Sequence, residues 1–212
     1  INCIAEDKKG ILWVGGEEGL SSFDGTSWTK YNLNSLGFQS IYINSIAESA
    51  DGVLWFGTNK YIYSYDGTNW KTYKPFGDKY DNAEYKNLIF DDYGMLWGIA
   101  GKQIIRYNGI NWKNYNEKNS NIDGGVQAIS IDKYNVLWIA TTSYSIQRYW
   151  VYGDLWQTYN ENVGWPQNDT KALFVDYKNI KWIGTDAGLY RLYDKSAEFE
   201  QPIYTKIEKV NE

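Results

Sequence analysis

Hydrophobic and polar positions alternate along this chain in short runs broken by Gly, Asn and Asp, and no stretch sustains the period of an amphipathic helix. The pattern predicts short strands joined by tight turns. One run recurs. Gly10-Ile-Leu-Trp-Val-Gly15 contains Leu12-Trp13, and this pair returns as Leu54-Trp55, Leu96-Trp97, Leu137-Trp138 and Lys181-Trp182. The steps between these tryptophans are 42, 42, 41 and 44 residues. A fixed period of this size marks a repeat architecture.

Aligned on the core Trp, the repeats spell out a strand order. Nine positions earlier stand Ile4, Ile46, Leu88, Ile129 and Leu173, in a first strand. Six earlier stand Asp7, Ser49, Asp91, Asp132 and Asp176, short polar residues able to bond their own turn backbone. Three earlier stand Gly10, Gly52, Gly94, Asn135 and Asn179, the residue types that most readily take positive φ in a hairpin. Two after the Trp stand Gly15, Gly57, Ile99, Ala140 and Gly184, mostly small, as expected where elements approach closely.

A third, aromatic-rich run follows, then an Asp24-Gly25, Asp66-Gly67 or Asn108-Gly109 turn, then a fourth strand such as Trp28-Thr-Lys-Tyr31 or Trp70-Lys-Thr-Tyr73. Four short antiparallel strands per repeat are the signature of a β-propeller blade, whose two faces are covered by its neighbours. The expected fold is therefore all-β: a five-bladed β-propeller of four-stranded antiparallel blades. It forms a single domain over 1–212, with blades at about 1–42, 43–84, 85–125, 126–169 and 170–212. The fifth copy decays after Leu192, and Ile203 to Ile207 is the candidate for its last outer strand. Either the ring closes with five blades, or these are five blades of a longer ring.

Composition narrows the function. Histidine is absent, which removes Ser–His and Cys–His nucleophile pairs and His-ligated zinc. Net charge is −5, with no basic stripe to meet phosphates, so no nucleic-acid partner is expected. No apolar run is long enough to span a bilayer, so direct membrane insertion of this segment is not expected. Cys3 is the single cysteine, leaving no intrachain disulfide. The acids Asp78, Asp81 and Glu84 match no calcium loop and read as a solvated loop. No metal and no cofactor is expected. The turn acids recur with the repeat, so they are assigned to turn chemistry and not to catalysis. Arg106, Arg148 and Arg191, the chain's three arginines, share one third-strand position and read as outward-facing charges.

Alternating strand direction puts the loops after strand four and those between strands two and three at the same blade ends. These loops vary most, and binding residues concentrate on variable loops held by a rigid scaffold. The post-strand-four loops, 32–42, 74–86, 116–126 and 160–170, hold aromatics outside the repeat register. The candidate ligand-binding residues are Trp165, Phe38, Tyr42, Tyr80, Tyr85, Tyr144, Asp186 and Glu17. Trp165 leads because no repeat position demands it. Aromatic faces beside amides and carboxylates suit sugar rings; the bland reading is that such aromatics plug the loops.

These motifs resemble the two-component regulator propeller repeat, roughly I-x-x-I-x-x-D-x-x-G-x-L-W-x-G-T-x-x-G-L. Residues 1–20, 43–58 and 173–189 carry it most fully, while Ile99 and Ala140 depart from it at the Gly after Trp. The resemblance implies a non-catalytic sensing or binding module outside the cytoplasm, periplasmic, at the cell surface or secreted, either on its own or as part of a larger membrane sensor chain. The implied partner is an oligosaccharide or a protein. The streptogramin lyases carry a similar repeat, but the chemistry of that family depends on a histidine base. The alternatives are thus a lyase- or hydrolase-like propeller working without histidine, and a protein-docking scaffold.

Overall fold

The computed structural model describes residues 1–35, 37–38, 42–77, 83–160, 165, 168–193 and 206–210. It contains five four-stranded antiparallel sheets and no α-helix among the described residues. Sheet one is β1 (Cys3–Glu6), β2 (Leu12–Gly16), β3 (Gly19–Phe23) and β4 (Trp28–Tyr31). Sheet two is β5 (Ile43–Glu48), β6 (Leu54–Thr58), β7 (Ile62–Tyr65) and β8 (Trp70–Tyr73). Sheet three is β9 (Tyr85–Phe90), β10 (Leu96–Ala100), β11 (Gln103–Tyr107) and β12 (Trp112–Tyr115). Sheet four is β13 (Val126–Ile131), β14 (Val136–Thr141), β15 (Ile146–Trp150) and β16 (Leu155–Tyr159). Sheet five is β17 (Thr170–Val175), β18 (Lys181–Thr185), β19 (Gly188–Tyr193) and β20 (Lys206–Lys209). The last outer strand thus comes from the tail, a few residues later than the sequence indicated. In every sheet the strands lie in chain order, so each sheet is a propeller blade.

The chain divides into two compact units, Ile1–Asn114 and Tyr115–Glu212. In the first, β1 lies against β5 and β5 against β9; in the second, β13 lies against β17. The apolar cores sit between successive blades. Trp13, Ile43, Phe56 and Tyr63 belong to one between blades one and two. Trp55, Tyr85, Leu96 and Ile105 belong to another between blades two and three. Trp138, Trp165, Leu173 and Tyr190 belong to a third between blades four and five.

The repeat positions explain themselves in three dimensions. Gly10, Gly52, Gly94, Asn135 and Asn179 all have positive φ, between 58° and 82°. In four repeats the turn acid clamps both the hairpin and the core indole. Its Oδ2 accepts the Trp Nε1–H at 2.9 Å in Asp7–Trp13, Asp91–Trp97, Asp132–Trp138 and Asp176–Trp182. Its Oδ1 accepts the backbone N–H groups two and four residues on, Lys9 and Ile11 in the first repeat and Lys178 and Ile180 in the fifth. Ser49 replaces the acid in the second repeat, and its hydroxyl serves only the nearer hairpin.

The small residues after the Trp mark close approaches between blades. A Cβ on Gly57 would stand 2.5 Å from the Tyr85 carbonyl oxygen, and one on Gly15 would stand 2.5 Å from Ile43 Cγ2. Cross-strand stacking completes the first four blades. Phe23–Trp28, Tyr65–Trp70, Tyr107–Trp112 and Tyr149–Trp156 pair with ring centroids 4.2–5.0 Å apart.

Candidate functional site

The loop aromatics separate into plugs and exposed groups. Phe38 is buried, stacking on Tyr63 of the next blade with ring centroids 3.7 Å apart. Trp165 is only 1% exposed and sits against Tyr190 of the next blade. The two are equivalent: Phe38 N–H donates to the Leu33 carbonyl and Trp165 N–H to the Asn160 carbonyl, so each loop folds back on itself and seats one side chain on the following third strand. Ile122, buried in the loop after β12, is accompanied by Gln147 of β15, which donates to the Asn121 carbonyl. Trp165 and Phe38 are candidate ligand platforms by sequence, with a loop plug as the other reading; their burial matches the plug and leaves no open face for a ligand. Tyr85 is also buried, as the first residue of β9, with its hydroxyl pKa pushed up to about 12 by desolvation. Tyr80, with the acids Asp78 and Asp81, lies outside the described residues.

Tyr144, Asp186, Tyr42 and Glu17 are exposed. In the second unit the structure brings two of them to one place. Asp169 N–H donates to Asp186 Oδ1 at 3.1 Å, and Asp186 N–H returns a bond to the Asp169 carbonyl at 3.1 Å. Asp169 also accepts from Gln127 Nε2 at 2.9 Å and pairs closely with Lys171. The Lys171 pair, reinforced by Gln127, holds the Asp169 carboxyl below the ordinary aspartate range. Lys171 is correspondingly raised, first by Asp169, then by the charge of Asp186 and the hydroxyl of Tyr144. Tyr144 stands at φ 56°, a left-handed conformation uncommon for an aromatic residue, with its side chain 48% exposed.

In the first unit, Glu17 lines an open cavity of about 570 Å³ with Asn2, Glu18 and Lys30. Asn2 donates to Asn44 at 3.4 Å, and Asn44 donates to Asn59 at 2.6 Å. Tyr61 receives the ammonium groups of Lys60 and Lys74 over its ring at 5.6 and 5.1 Å.

A common element runs through these contacts. Asn2, Asn44, Lys86, Gln127 and Lys171 occupy the same position at the head of the first-strand pattern, two residues before Ile4, Ile46, Leu88, Ile129 and Leu173. Every repeat is polar there. Sequence reasoning passed over this column because it looked for aromatics that break the repeat, whereas the signal was a polar residue that keeps it.

The three arginines differ from the outward charges expected. Each lies opposite its core Trp across the β-ladder, at Trp97–Arg106, Trp138–Arg148 and Trp182–Arg191. Arg106 and Arg191 lie 5.6 Å over those indoles. Arg148 is buried, donating to Gln157 at 2.7 Å and lying over Tyr159. They are packing elements, their charge set against aromatic faces. No cluster of metal-ligating side chains occurs among the described residues. Cys3 is a free thiol whose pKa burial pushes up to about 11, which keeps it protonated at neutral pH.

Fold and site together define a propeller-blade repeat protein with polar, loop-bearing blade ends. Residues 1–18 and 35–60 match the two-component regulator propeller family model, so the chain carries repeats of that type. Among solved structures it is similar to the extracellular domain of a hybrid two component system from B. thetaiotaomicron, with TM-score 0.78 and 19% identity over 98% of this chain. It is similar too to virginiamycin B lyase from Staphylococcus aureus, with TM-score 0.75 and 16% identity over 98% of this chain and 69% of the lyase. A histidine-to-alanine form of that lyase is described as catalytically inactive. A third similar structure is the extracellular domain of a one component system from B. thetaiotaomicron, with TM-score 0.63 and 16% identity, covering 100% of this chain and 33% of that one. The chain spans 28% of the length of the hybrid-system structure. Sequence comparison with curated proteins gives no match. No helix among the described residues is long and apolar enough to cross a membrane.

Proposed function

We propose that this chain is the ligand-binding propeller of a larger extracytoplasmic sensor, recognising a glycan or a protein partner without catalysing a reaction on it. The observation that carries this reading is the group at the loop-bearing ends of blades four and five: exposed Tyr144 and Asp186 gathered around the Asp169–Lys171 pair. An aromatic face beside paired donors and acceptors binds hydroxyls or peptide amides without chemistry. Tyr42 and Glu17 offer the same residue types in the first unit. The regulator-type repeats and the likeness to extracellular sensor domains support the location and the role.

Catalysis is disfavoured on two counts. Lyase activity in the similar enzyme fails with one histidine replacement, and this chain has no histidine. A general acid at neutral pH needs a raised carboxyl pKa, whereas every described carboxylate with a shifted pKa lies below its ordinary value. The test is calorimetric titration with oligosaccharides from plant, host and bacterial polysaccharides, alongside capture of partners by the immobilised protein. Tyr144→Ala with Asp186→Asn is expected to abolish the binding found while leaving the melting temperature unchanged. Binding indifferent to both substitutions would defeat the assignment.

A second reading, protein docking through the blade faces, has its own observation. Ile4 is 58% exposed, while its repeat equivalents Leu88, Ile129 and Leu173 are at most 8% exposed; Phe174 on blade five is 63% exposed.

A further inference from the structure

The second repeat breaks the Asp–Trp clamp, and the break opens onto a cavity. Ser49 is too short to reach the indole as Asp7, Asp91, Asp132 and Asp176 do. Its hydroxyl is instead engaged with the Val53 backbone and the Asp51 carboxylate. Trp55 is only 7% exposed, yet its Nε1–H has no hydrogen-bond partner among the described residues. Trp55 lines a cavity, so this donor is open to an acceptor from outside the chain.

Trp55 and Ser49 line a cavity of about 350 Å³ between blades two and three, within the first unit. Its volume falls in the range of about 300–1,000 Å³ typical of small-molecule sites. Tyr73, Phe90 and Tyr107 supply aromatic wall, and Asp66, Asn69 and Lys71 supply a polar rim. The cavity opens at the turn-bearing ends of blades two and three.

We propose that this cavity binds a neutral saccharide unit, with one sugar hydroxyl taking the place of the missing aspartate. The hydroxyl oxygen accepts from Trp55 Nε1–H, and the hydroxyl hydrogen is donated to Asp51. A carboxylate would satisfy the indole as well, but Asp51 and Asp66 offset Lys71 and the Lys8 ammonium, which donates to the Ser49 and Ala50 carbonyls, so the site holds no excess positive charge for an anion. The C–H faces of a pyranose suit the aromatic wall. The site shares no residue with the loop-end group of the second unit, so either can fail without the other.

The experiment is ligand-observed NMR and calorimetry with glucose, galactose, mannose and N-acetylglucosamine, and with glucuronate and galacturonate as anionic counterparts. At least one neutral sugar is expected to bind the unmodified protein. Ser49→Asp restores the clamp found in the other four repeats; it should raise the melting temperature of the free protein and weaken sugar binding about tenfold or more, the scale of one lost hydrogen bond. Lys71→Ala, at an exposed strand position, serves as a second probe and should also weaken binding. Tyr144→Ala with Asp186→Asn should leave this binding unchanged. The proposal is overturned if no neutral sugar binds, if the uronates bind more tightly than the neutral sugars, or if binding survives both Ser49→Asp and Lys71→Ala. Binding lost only in the Tyr144 and Asp186 variant would also overturn it, while supporting the loop-end reading.

Discussion

At the scale of single residues, the turn aspartates decide the most. Asp132 is the extreme case. Besides Trp138, its Oδ2 takes the Lys181 ammonium at 3.1 Å, and the two side chains are 3% and 0% exposed. Lys181 stands where the other repeats have leucine, and its ammonium also lies 4.6 Å over the Trp138 ring. Removing one partner of a buried pair strands the other's charge, so Asp132→Ala should cost about 3–5 kcal/mol in urea denaturation. Lys181→Leu should cost far less, because Asp132 keeps its indole and amide donors, as Asp91 does without a lysine. A large loss in both variants would mean that the pair itself, and not the stranded charge, stabilises the site. The two partly exposed clamps carry a pH signature. The Trp182 indole, with the Ile180 and Lys178 amides, holds Asp176 below its ordinary 3.8. For Asp7 burial pushes upward, but the Trp13, Ile11 and Lys9 donors outweigh it and leave the pKa depressed. Depressed carboxyls stabilise the fold fully above their unfolded pKa and lose that contribution as pH falls through the lower folded values. Melting temperature should therefore hold on acidification to near 4 and decline below it. The decline should be shallower in Asp176→Asn, as followed by circular dichroism.

At the scale of the blade, the repeat was legible because each position has one physical job. Positive φ demanded Gly or Asn, close approach demanded a small residue, and the ladder demanded alternating apolar positions. Gly57→Ala should cost about 1–3 kcal/mol, since the Tyr85 carbonyl it would strike is backbone and cannot turn aside. Gly184→Ala should be nearly neutral, because its nearest contact would be Ala172 Cβ at an ordinary 3.6 Å. Equal effects would show that the small residue is a turn requirement and not a packing one. Which loop side chains act as plugs was not legible. Phe38, Ile122 and Trp165 follow the outer-strand tyrosines Tyr31, Tyr115 and Tyr159 by seven, seven and six residues, so a slipping gap hid their equivalence. Their burial is decided by the next blade, which a local pattern does not contain. Arg148 was misjudged for the same reason: alternation assigns a face, but the aromatic that shelters the charge lies across the strands.

At the scale of the whole molecule, the question is what meets the terminal blades. Blades bury their faces on neighbours, yet Ile4 and Phe174 remain exposed, together with Leu189 at 39%. Exposed apolar sheet faces of this kind mark interaction surfaces. If docking is their role, sedimentation of the isolated chain should show concentration-dependent association that Ile4→Ser with Phe174→Ser removes. Stability should change little, as is usual for surface substitutions, within about 0.5 kcal/mol each. A monomer at all concentrations, unaffected by the pair, would leave ligand binding at the blade ends as the stronger reading.

The stacked ladder has an optical consequence. Each of the first four blades pairs an indole with a phenol or phenyl ring at fixed distance and tilt, from Phe23–Trp28 to Tyr149–Trp156. Chromophores held so close couple their transitions, giving near-ultraviolet ellipticity that vanishes when the rings separate. Trp55 alone among the core indoles lacks a carboxylate at its N–H, so its emission should be set apart from the other four. The protein thus carries an intrinsic reporter at the cavity between its second and third blades, readable without any label.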